Sequence, residues 1–305
     1  MHLFSVSTLR RALTFASTKA RILSTVQPSP VPEESSKLET RAVEWQARHR
    51  LTSAQYQTTF TELANQGYRL TDISGYTYNE EPRYAAIWEK TSGPEWVAHH
   101  CLTAAQYQEA FNTYLSQGFR LRLVNGYTVA GNQARFAAIW DKSTAPGPWV
   151  SRHGLTSAER QEAFKKYVRG QGYCLVHCSG YNEGGTAKYA AIWEKPAVKK
   201  GTKGFYRCAM TDAQYQTTFL DRIGEGYSLA RISGYVFDGT ACYVAIWDKT
   251  LTGTWATYRG MTADQYQALL NRYTAHGGYR LKQISGYTLG GADDRYAAIF
   301  VKEGI

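Results

Sequence analysis

The sequence predicts an α+β repeat protein, built from five tandem β-α-β-β repeats of about 50 residues that close into a propeller-like ring. Three observations lead to this fold class. A Leu-Thr or Met-Thr pair recurs along the chain, a helix-start signal follows each pair, and each copy ends in a strand like Tyr-Ala-Ala-Ile-Trp. A unit of this length cannot bury a sufficient core alone, so neighbouring units must share one. The pairs begin at Leu51, Leu102, Leu155, Met210 and Met261.

The chain divides into a leader and one repeat domain. Residues 1–32 contain four Lys and Arg side chains and several serines, and the first carboxylate is Glu33. Such an amphipathic segment without acids is typical of a transit peptide, so we expect a mitochondrial location; a secretory signal and a plain tail are the alternatives. The leader with its linker is assigned to residues 1–40 and the repeat domain to residues 41–305. The predicted units are 41–95, 96–148, 149–203, 204–254 and 255–305.

Each unit carries the signals of one helix of about four turns. A threonine is followed three residues later by Gln or Glu, which forms a capping box, and a glycine ends the helix where a left-handed residue is needed. Apolar residues recur at helical spacing between them, as in Tyr56, Phe60 and Leu63. The capping threonines are Thr52, Thr103, Thr156, Thr211 and Thr262, and the terminal glycines are Gly67, Gly118, Gly172, Gly226 and Gly278.

Three strands complete each unit. A Ser-Gly-Tyr corner marks the first strand after the helix, and a turn rich in Gly, Asn and Asp leads to the Tyr-Ala-Ala-Ile-Trp strand. The corner glycine indicates a bulge or a close backbone approach. The segment that opens each unit, such as the one at Trp45, predicts a short third strand, which is called the Trp strand. The corner glycines are Gly75, Gly126, Gly180, Gly234 and Gly286.

The two ends of the array decide between a ring and an open solenoid. The repeats begin with the Trp45 strand and stop after the Tyr296 strand, with no sixth Trp strand behind it. We expect the first Trp strand to pair beside the last strand and so remove both free edges, as in propellers. The open solenoid is the alternative, because Phe300 and Val301 replace the usual Trp-acid pair and can mark an open end.

The repeated motifs resemble a known family. Leu-Thr, Gln-Tyr-Gln, Gln-Gly-Tyr-Arg-Leu, Ser-Gly-Tyr and Arg-Tyr-Ala-Ala-Ile-Trp-Glu-Lys together look like the tandem repeat of bacterial and fungal proteins that forms the N-terminal domain of fungal polyglycine hydrolases. The resemblance covers about residues 45–302. In those hydrolases a second domain, similar to a serine β-lactamase, holds the nucleophile. This chain has no Ser-x-x-Lys, Ser-Asp-Asn or Lys-Thr-Gly, so the resemblance implies the accessory module without the catalyst.

A hydrolase remains the alternative function. Its nucleophile or base would be a corner serine or one of His49, His100 and His153. Four equivalent serines with Asn125 as the fifth corner residue instead favour hydroxyls that satisfy nearby backbone groups, since no base partner is evident. The corner serines are Ser74, Ser179, Ser233 and Ser285.

A row of basic residues near the end of each Trp strand is the candidate binding site. Equivalent positions would converge in a ring and form a basic, hydrogen-bonding centre, whereas a structural interpretation makes them hydrogen-bonded residues at strand ends. A metal site is disfavoured, because Arg residues interrupt the row and no carboxylates complete a ligand shell. The binding candidates are Arg48, His49, His99, His100, Arg152, His153, Arg207 and Arg259.

Composition restricts the partners. The net charge of +10 is spread along the chain, which argues against nucleic acid, and no apolar stretch is long enough for a membrane span. The five cysteines lack metal-ligand spacing, so no cofactor or metal is expected. We expect a non-catalytic module for peptide or protein binding or scaffolding. Its candidate partners are a glycine-rich peptide and a separately encoded hydrolase.

Overall fold

The structure, a computed structural model, describes residues 43–144, 147–195, 204–251 and 253–302. The predicted leader lies outside the described residues. The described part contains five units, each with one helix and a three-stranded antiparallel sheet, so the predicted α+β repeat is confirmed. The predicted third strand is present in every unit.

The element bounds follow one pattern through the chain. Unit 1 contains β1 (Trp45–Leu51), α1 (Ser53–Asn65), β2 (Arg69–Tyr78) and β3 (Glu81–Glu89). Unit 2 contains β4 (Trp96–Leu102), α2 (Ala104–Ser116), β5 (Arg120–Val129) and β6 (Gln133–Asp141). Unit 3 contains β7 (Trp149–Leu155), α3 (Ser157–Phe164), β8 (Cys174–Glu183) and β9 (Thr186–Glu194). Unit 4 contains β10 (Phe205–Met210), α4 (Asp212–Gly224), β11 (Ser228–Phe237) and β12 (Thr240–Asp248). Unit 5 contains β13 (Trp255–Met261), α5 (Ala263–Gly277), β14 (Tyr279–Thr288) and β15 (Asp294–Lys302).

The helix signals are confirmed in all five units. Each predicted threonine accepts a hydrogen bond from the backbone N–H three residues later, and the Gln or Glu there accepts one from the threonine N–H. The predicted terminal glycines all have positive φ, between 61° and 85°. Helix α3 differs from the others, because it continues into a π-helical segment over Lys165–Gly170.

The Tyr-Ala-Ala-Ile-Trp strand is the centre of each sheet, between the Trp strand and the corner strand. The expected pairing of the Trp45 strand with the last strand is therefore wrong, because β1 pairs with β3 of its own unit and β13 pairs with β15. The physical reason is burial. Every residue from Tyr84 to Trp88 is fully buried, and such a strand needs a hydrogen-bonding partner on both edges, which its own unit supplies.

The Ser-Gly-Tyr corners join neighbouring units. The corner side chain of one unit accepts a hydrogen bond from the corner glycine N–H of the preceding unit, as Asn125 Oδ1 does from Gly75 at 2.7 Å. The corner tyrosine covers the same glycine, where an added Cβ would lie 2.4 Å from the Tyr127 ring. The predicted close approach is confirmed, and it joins neighbouring units. The other acceptor–donor pairs are Ser179–Gly126, Ser233–Gly180 and Ser285–Gly234.

Unit 5 makes these contacts with unit 1. Ser74 Oγ accepts from the Gly286 N–H at 3.0 Å, and a Cβ on Gly286 would lie 2.5 Å from the Tyr76 ring. An ion pair of 2.6 Å between Arg50 and Asp294 adds to this junction. Units 5 and 1, which stand at opposite ends of the repeat array, therefore pack against each other as consecutive units do.

Aromatic side chains form much of the core. The tryptophans of the central strands are fully buried, and tyrosines from the helices and the central strands surround them. Each core cluster also draws residues from two units, so no unit has a core of its own. The buried tryptophans are Trp88, Trp140, Trp193 and Trp247.

Candidate ligand-binding groove

Three histidines of the predicted basic row lie at junctions between units. His49 packs edge-on against Tyr266 and Tyr296 of unit 5, with ring centroids 5.0 and 5.4 Å apart. His100 and His153 make the same contacts with aromatic rings of units 1 and 2, at 4.6 Å from Tyr56 and 4.8 Å from Tyr107. The row therefore contributes to separate junctions instead of meeting at one centre.

The other members of the row also have local partners, each in its own unit or at its own junction. His99 Nε2 lies 2.6 Å from the Tyr114 hydroxyl, the Arg152 guanidinium lies over the Tyr167 ring, and Arg207 donates to Thr218 Oγ1 at 2.9 Å. Arg259 forms an ion pair of 2.8 Å with Asp212. Arg48 and His49 also line a cavity between units 1 and 5. A binding role for the row stays a prediction.

Burial keeps the junction histidines neutral near pH 7. Desolvation lowers the pKa of His100 to about 4, with a smaller contribution from His99. Desolvation also lowers the pKa values of His49, His99 and His153. In the neutral state these imidazoles pack as aromatic rings and add no charge to the junctions.

A groove of about 580 Å³ lies between β1 of unit 1 and α5 of unit 5. Five consecutive residues of β1, Trp45–His49, form one wall. One face of α5 forms the other wall, and it presents two amides, a hydroxyl and one apolar side chain. An aromatic ring, amides and a guanidinium line the same concave surface, which is the mixture expected of a ligand site. The α5 residues are Gln267, Leu270, Asn271 and Thr274.

One residue of this groove differs from its equivalents at the other four junctions. At the other four junctions a phenylalanine of the helix packs against an aromatic ring of the next unit's first strand, as Phe60 does with Trp96 at 5.4 Å. The equivalent residue of α5 is Leu270, which has no ring to place against Trp45. The corresponding pairs elsewhere are Phe111–Trp149, Phe164–Tyr206 and Phe219–Trp255.

Sequence reasoning missed the helix wall of this groove. Leu270 stands four residues after Tyr266, where the other helices have Phe four residues after the equivalent position, so the exception can be read from the aligned units. What the alignment does not show is that this helix position faces the first strand of the next unit. The prediction did include Arg48 and His49, which lie on the strand wall.

A second, much smaller cavity lies where the corner strands of all five units meet. Its volume is about 10 Å³, which is close to the minimum for a single water molecule. Asp72, His177 and Gln283 line it together with the corner serines. Gln283 bonds to both the N–H and the C=O of Ile232, so much of this polar surface is already satisfied by backbone groups.

Desolvation dominates the ionisation of this buried cluster. It raises the pKa of Asp72 to about 6, against the opposing effect of Arg231, whose guanidinium lies 3.7 Å away. It lowers the pKa of His177 to about 3, and Arg231 lowers it further. The neutral His177 ring donates from Nε2 to the Val124 C=O at 2.8 Å, while its buried Nδ1 has no partner among the described residues.

Neither a metal cluster nor a membrane helix occurs in the described part of the chain. No three His, Cys, Asp or Glu side chains there are grouped closely enough to hold a metal ion. The helices of that part are also too short and too polar to span a bilayer.

The comparisons with known proteins agree with the repeat architecture. The family model described as polyglycine hydrolase-like, structural repeat matches the sequence five times, and these matches account for most of the chain. The comparison with curated proteins gives no match. The matched residues are 42–91, 93–143, 146–196, 205–250 and 252–303, one match for each predicted unit. The chain therefore belongs to the family of polyglycine hydrolase-like structural repeats.

Proposed function

We propose that this protein is a non-catalytic binding module, a closed ring of five units that holds a peptide segment of a partner protein in the groove between β1 and α5. Closure is supported by the contacts of unit 5 with unit 1, where Ser74, Tyr76 and Gly286 repeat the contacts made at the other junctions. A ring makes that junction as rigid as the rest, so the groove is a preformed site.

The observation that carries the proposal is the groove itself. Its volume is about 580 Å³, and Leu270 stands on its helix wall where the other units have Phe. Trp45 offers a flat apolar surface, Gln46 and Asn271 offer donors and acceptors, and Arg48 offers a positive charge. This combination suits a peptide, which has apolar, amide and charged groups at close spacing. A glycine-rich peptide and a separately encoded hydrolase are the first partners to test.

A non-catalytic role also agrees with the environment of the corner serines. Ser74 is 2% exposed and Ser179 is 1% exposed, and their hydroxyls accept hydrogen bonds from backbone N–H groups of neighbouring units. An oxygen held in this way satisfies the backbone and is shielded from a substrate. The hydrolase alternative would have to use residues outside these corners.

Peptide selection tests the proposal. A phage-displayed random peptide library is panned against the wild-type protein, with counter-selection on a Leu270→Phe variant that installs the residue of the other four junctions. We expect peptides that bind the wild type saturably and remain intact by mass spectrometry. Failure to enrich any peptide that distinguishes the two proteins would contradict the proposed site, and cleavage of the selected peptides would contradict the non-catalytic role.

A further inference from the structure

We infer that the groove takes an extended peptide, which pairs through its main chain with the free edge of β1 and ends in a carboxylate bound by Arg48. This inference rests on the proposed function and names the class of partner. It depends on the orientation of β1, on the helix face opposite, and on the charge in the groove.

The edge of β1 faces the groove. Side chains of a strand alternate between the two faces of its sheet, so a surface that touched one face would contact every second residue. All five residues from Trp45 to His49 line the groove. Because β1 is also the outer strand of its sheet, its unpaired side is the one directed at the groove.

The hydrogen-bond register shows which backbone groups are available. Lys90 donates its N–H to the C=O of Glu44 at 2.7 Å, and these two residues are directly opposite in the antiparallel ladder of β1 and β3. Hydrogen-bonded and non-hydrogen-bonded pairs alternate along such a ladder, so Trp45 and Ala47 direct their N–H and C=O groups away from β3. The edge therefore offers two donors and two acceptors to an incoming strand.

Helix α5 supplies the opposite wall. Gln267, Leu270, Asn271 and Thr274 stand three and four residues apart, which places them on one face of the helix. A cleft between an edge strand and a helix is a shape in which an extended peptide adds a strand to the sheet, while its side chains contact the helix. Leu270 and the Trp45 ring provide the apolar contacts for those side chains.

Charge favours a carboxylate on the peptide. Among the residues that line the groove, Arg48 is the one charged at neutral pH, and its guanidinium donates to Gln46 Oε1 at 3.0 Å and to the Ala47 C=O at 2.8 Å. No carboxylate of the described residues pairs with it. A peptide N–H can take the place of the guanidinium at the Ala47 C=O, and the guanidinium can then bind a carboxylate with two parallel hydrogen bonds.

The test uses hexaglycine with a free C-terminal carboxylate. This probe has no side chains, so it offers its main-chain amides to β1 and its carboxylate to Arg48. Two-dimensional NMR spectra of the ¹⁵N-labelled full chain are recorded during the titration. We expect saturable shifts of the Trp45 and Ala47 amide signals, and binding about tenfold weaker for the C-terminal amide of hexaglycine, which lacks the charge-assisted contact. Hexasarcosine keeps the carboxylate but has no amide N–H donors, so it should bind more weakly than hexaglycine.

Matched variants complete the design. Arg48→Gln should reduce the affinity for hexaglycine to that of its amide and leave the amide unaffected. Absence of saturable shifts with hexaglycine would overturn the inference, equal affinity for hexasarcosine would overturn main-chain pairing, and equal affinity for the amide would overturn the carboxylate contact. The two proposals can fail separately. If one of these outcomes occurs but selected peptides still bind the wild type and not Leu270→Phe, the inference fails and the proposed function stands.

Discussion

Replacement of Gly286 by alanine tests whether unit 5 is joined to unit 1. The added Cβ would lie 2.5 and 2.7 Å from two carbons of the Tyr76 ring, whereas ordinary contacts begin near 3.4 Å. Tyr76 is buried, and its hydroxyl is hydrogen-bonded to the backbone N–H of Arg50 at 3.2 Å, so the ring cannot move aside freely. Overpacking of this kind costs about 1–3 kcal/mol. We expect a loss of about 2 kcal/mol in the free energy of unfolding.

The assay is urea unfolding of the wild type and Gly286→Ala, followed by tryptophan fluorescence and circular dichroism. Gly180→Ala is the matched positive variant, since its Cβ would lie 2.5 Å from Tyr235 at a junction between consecutive units. Gly224→Ala is the negative control, because its backbone is helical and no atom lies within 4 Å of the added Cβ. In a closed ring Gly286→Ala and Gly180→Ala lose similar stability. A Gly286→Ala variant as stable as Gly224→Ala would refute the closure of the ring.

Three further predictions concern ionisation, thiol reactivity and helix capping. Burial raises the pKa of Asp72 to about 6, so its stabilising contribution is complete below pH 3.8 and is lost as the pH rises through 6; urea unfolding should show the wild type losing about 2 kcal/mol relative to Asp72→Asn between pH 4 and pH 7, and a constant difference would contradict this. A hydrogen bond with Cys208 and burial raise the pKa of Cys178, which is buried, so iodoacetamide should label the half-buried Cys174 faster than Cys178; the reverse order in peptide mass spectra would count against it. Thr103→Ala removes a capping-box acceptor and should lower the free energy of unfolding by about 1 kcal/mol, whereas Thr103→Ser should restore most of it.

Local signals of the fold could be predicted from the sequence because each depends on neighbouring residues. The capping boxes, the helix-ending glycines and the close approach at the corners all follow from short motifs. The partner of the Trp strand could not be predicted in this way. Sequence order places that strand between two central strands, and only the hydrogen-bond register of the folded chain shows that it pairs with the one of its own unit.

The buried polar cluster escaped prediction because a bulge changes the strand period. Between Leu70 and Asp72 the pairing register shifts by one residue, so simple alternation assigns these two residues to the same face, although Leu70 lies in the core and Asp72 lines the small cavity. The same shift occurs in the other four corner strands. Prediction of the groove requires one further fact. Leu270 is informative only when the residue that it faces, Trp45, is known.

The peptide site between β1 and α5 is tested by the dissociation constants of a selected peptide for the wild type, Leu270→Phe and Phe111→Leu. Phe111→Leu makes the opposite exchange at the junction of units 2 and 3, so it controls for a general effect of altered packing. A peptide held between β1 and α5 should bind Leu270→Phe at least about tenfold more weakly, as expected when a groove is filled, and bind Phe111→Leu within about twofold of the wild type. Equal affinity for the wild type and Leu270→Phe would contradict the assignment of the groove.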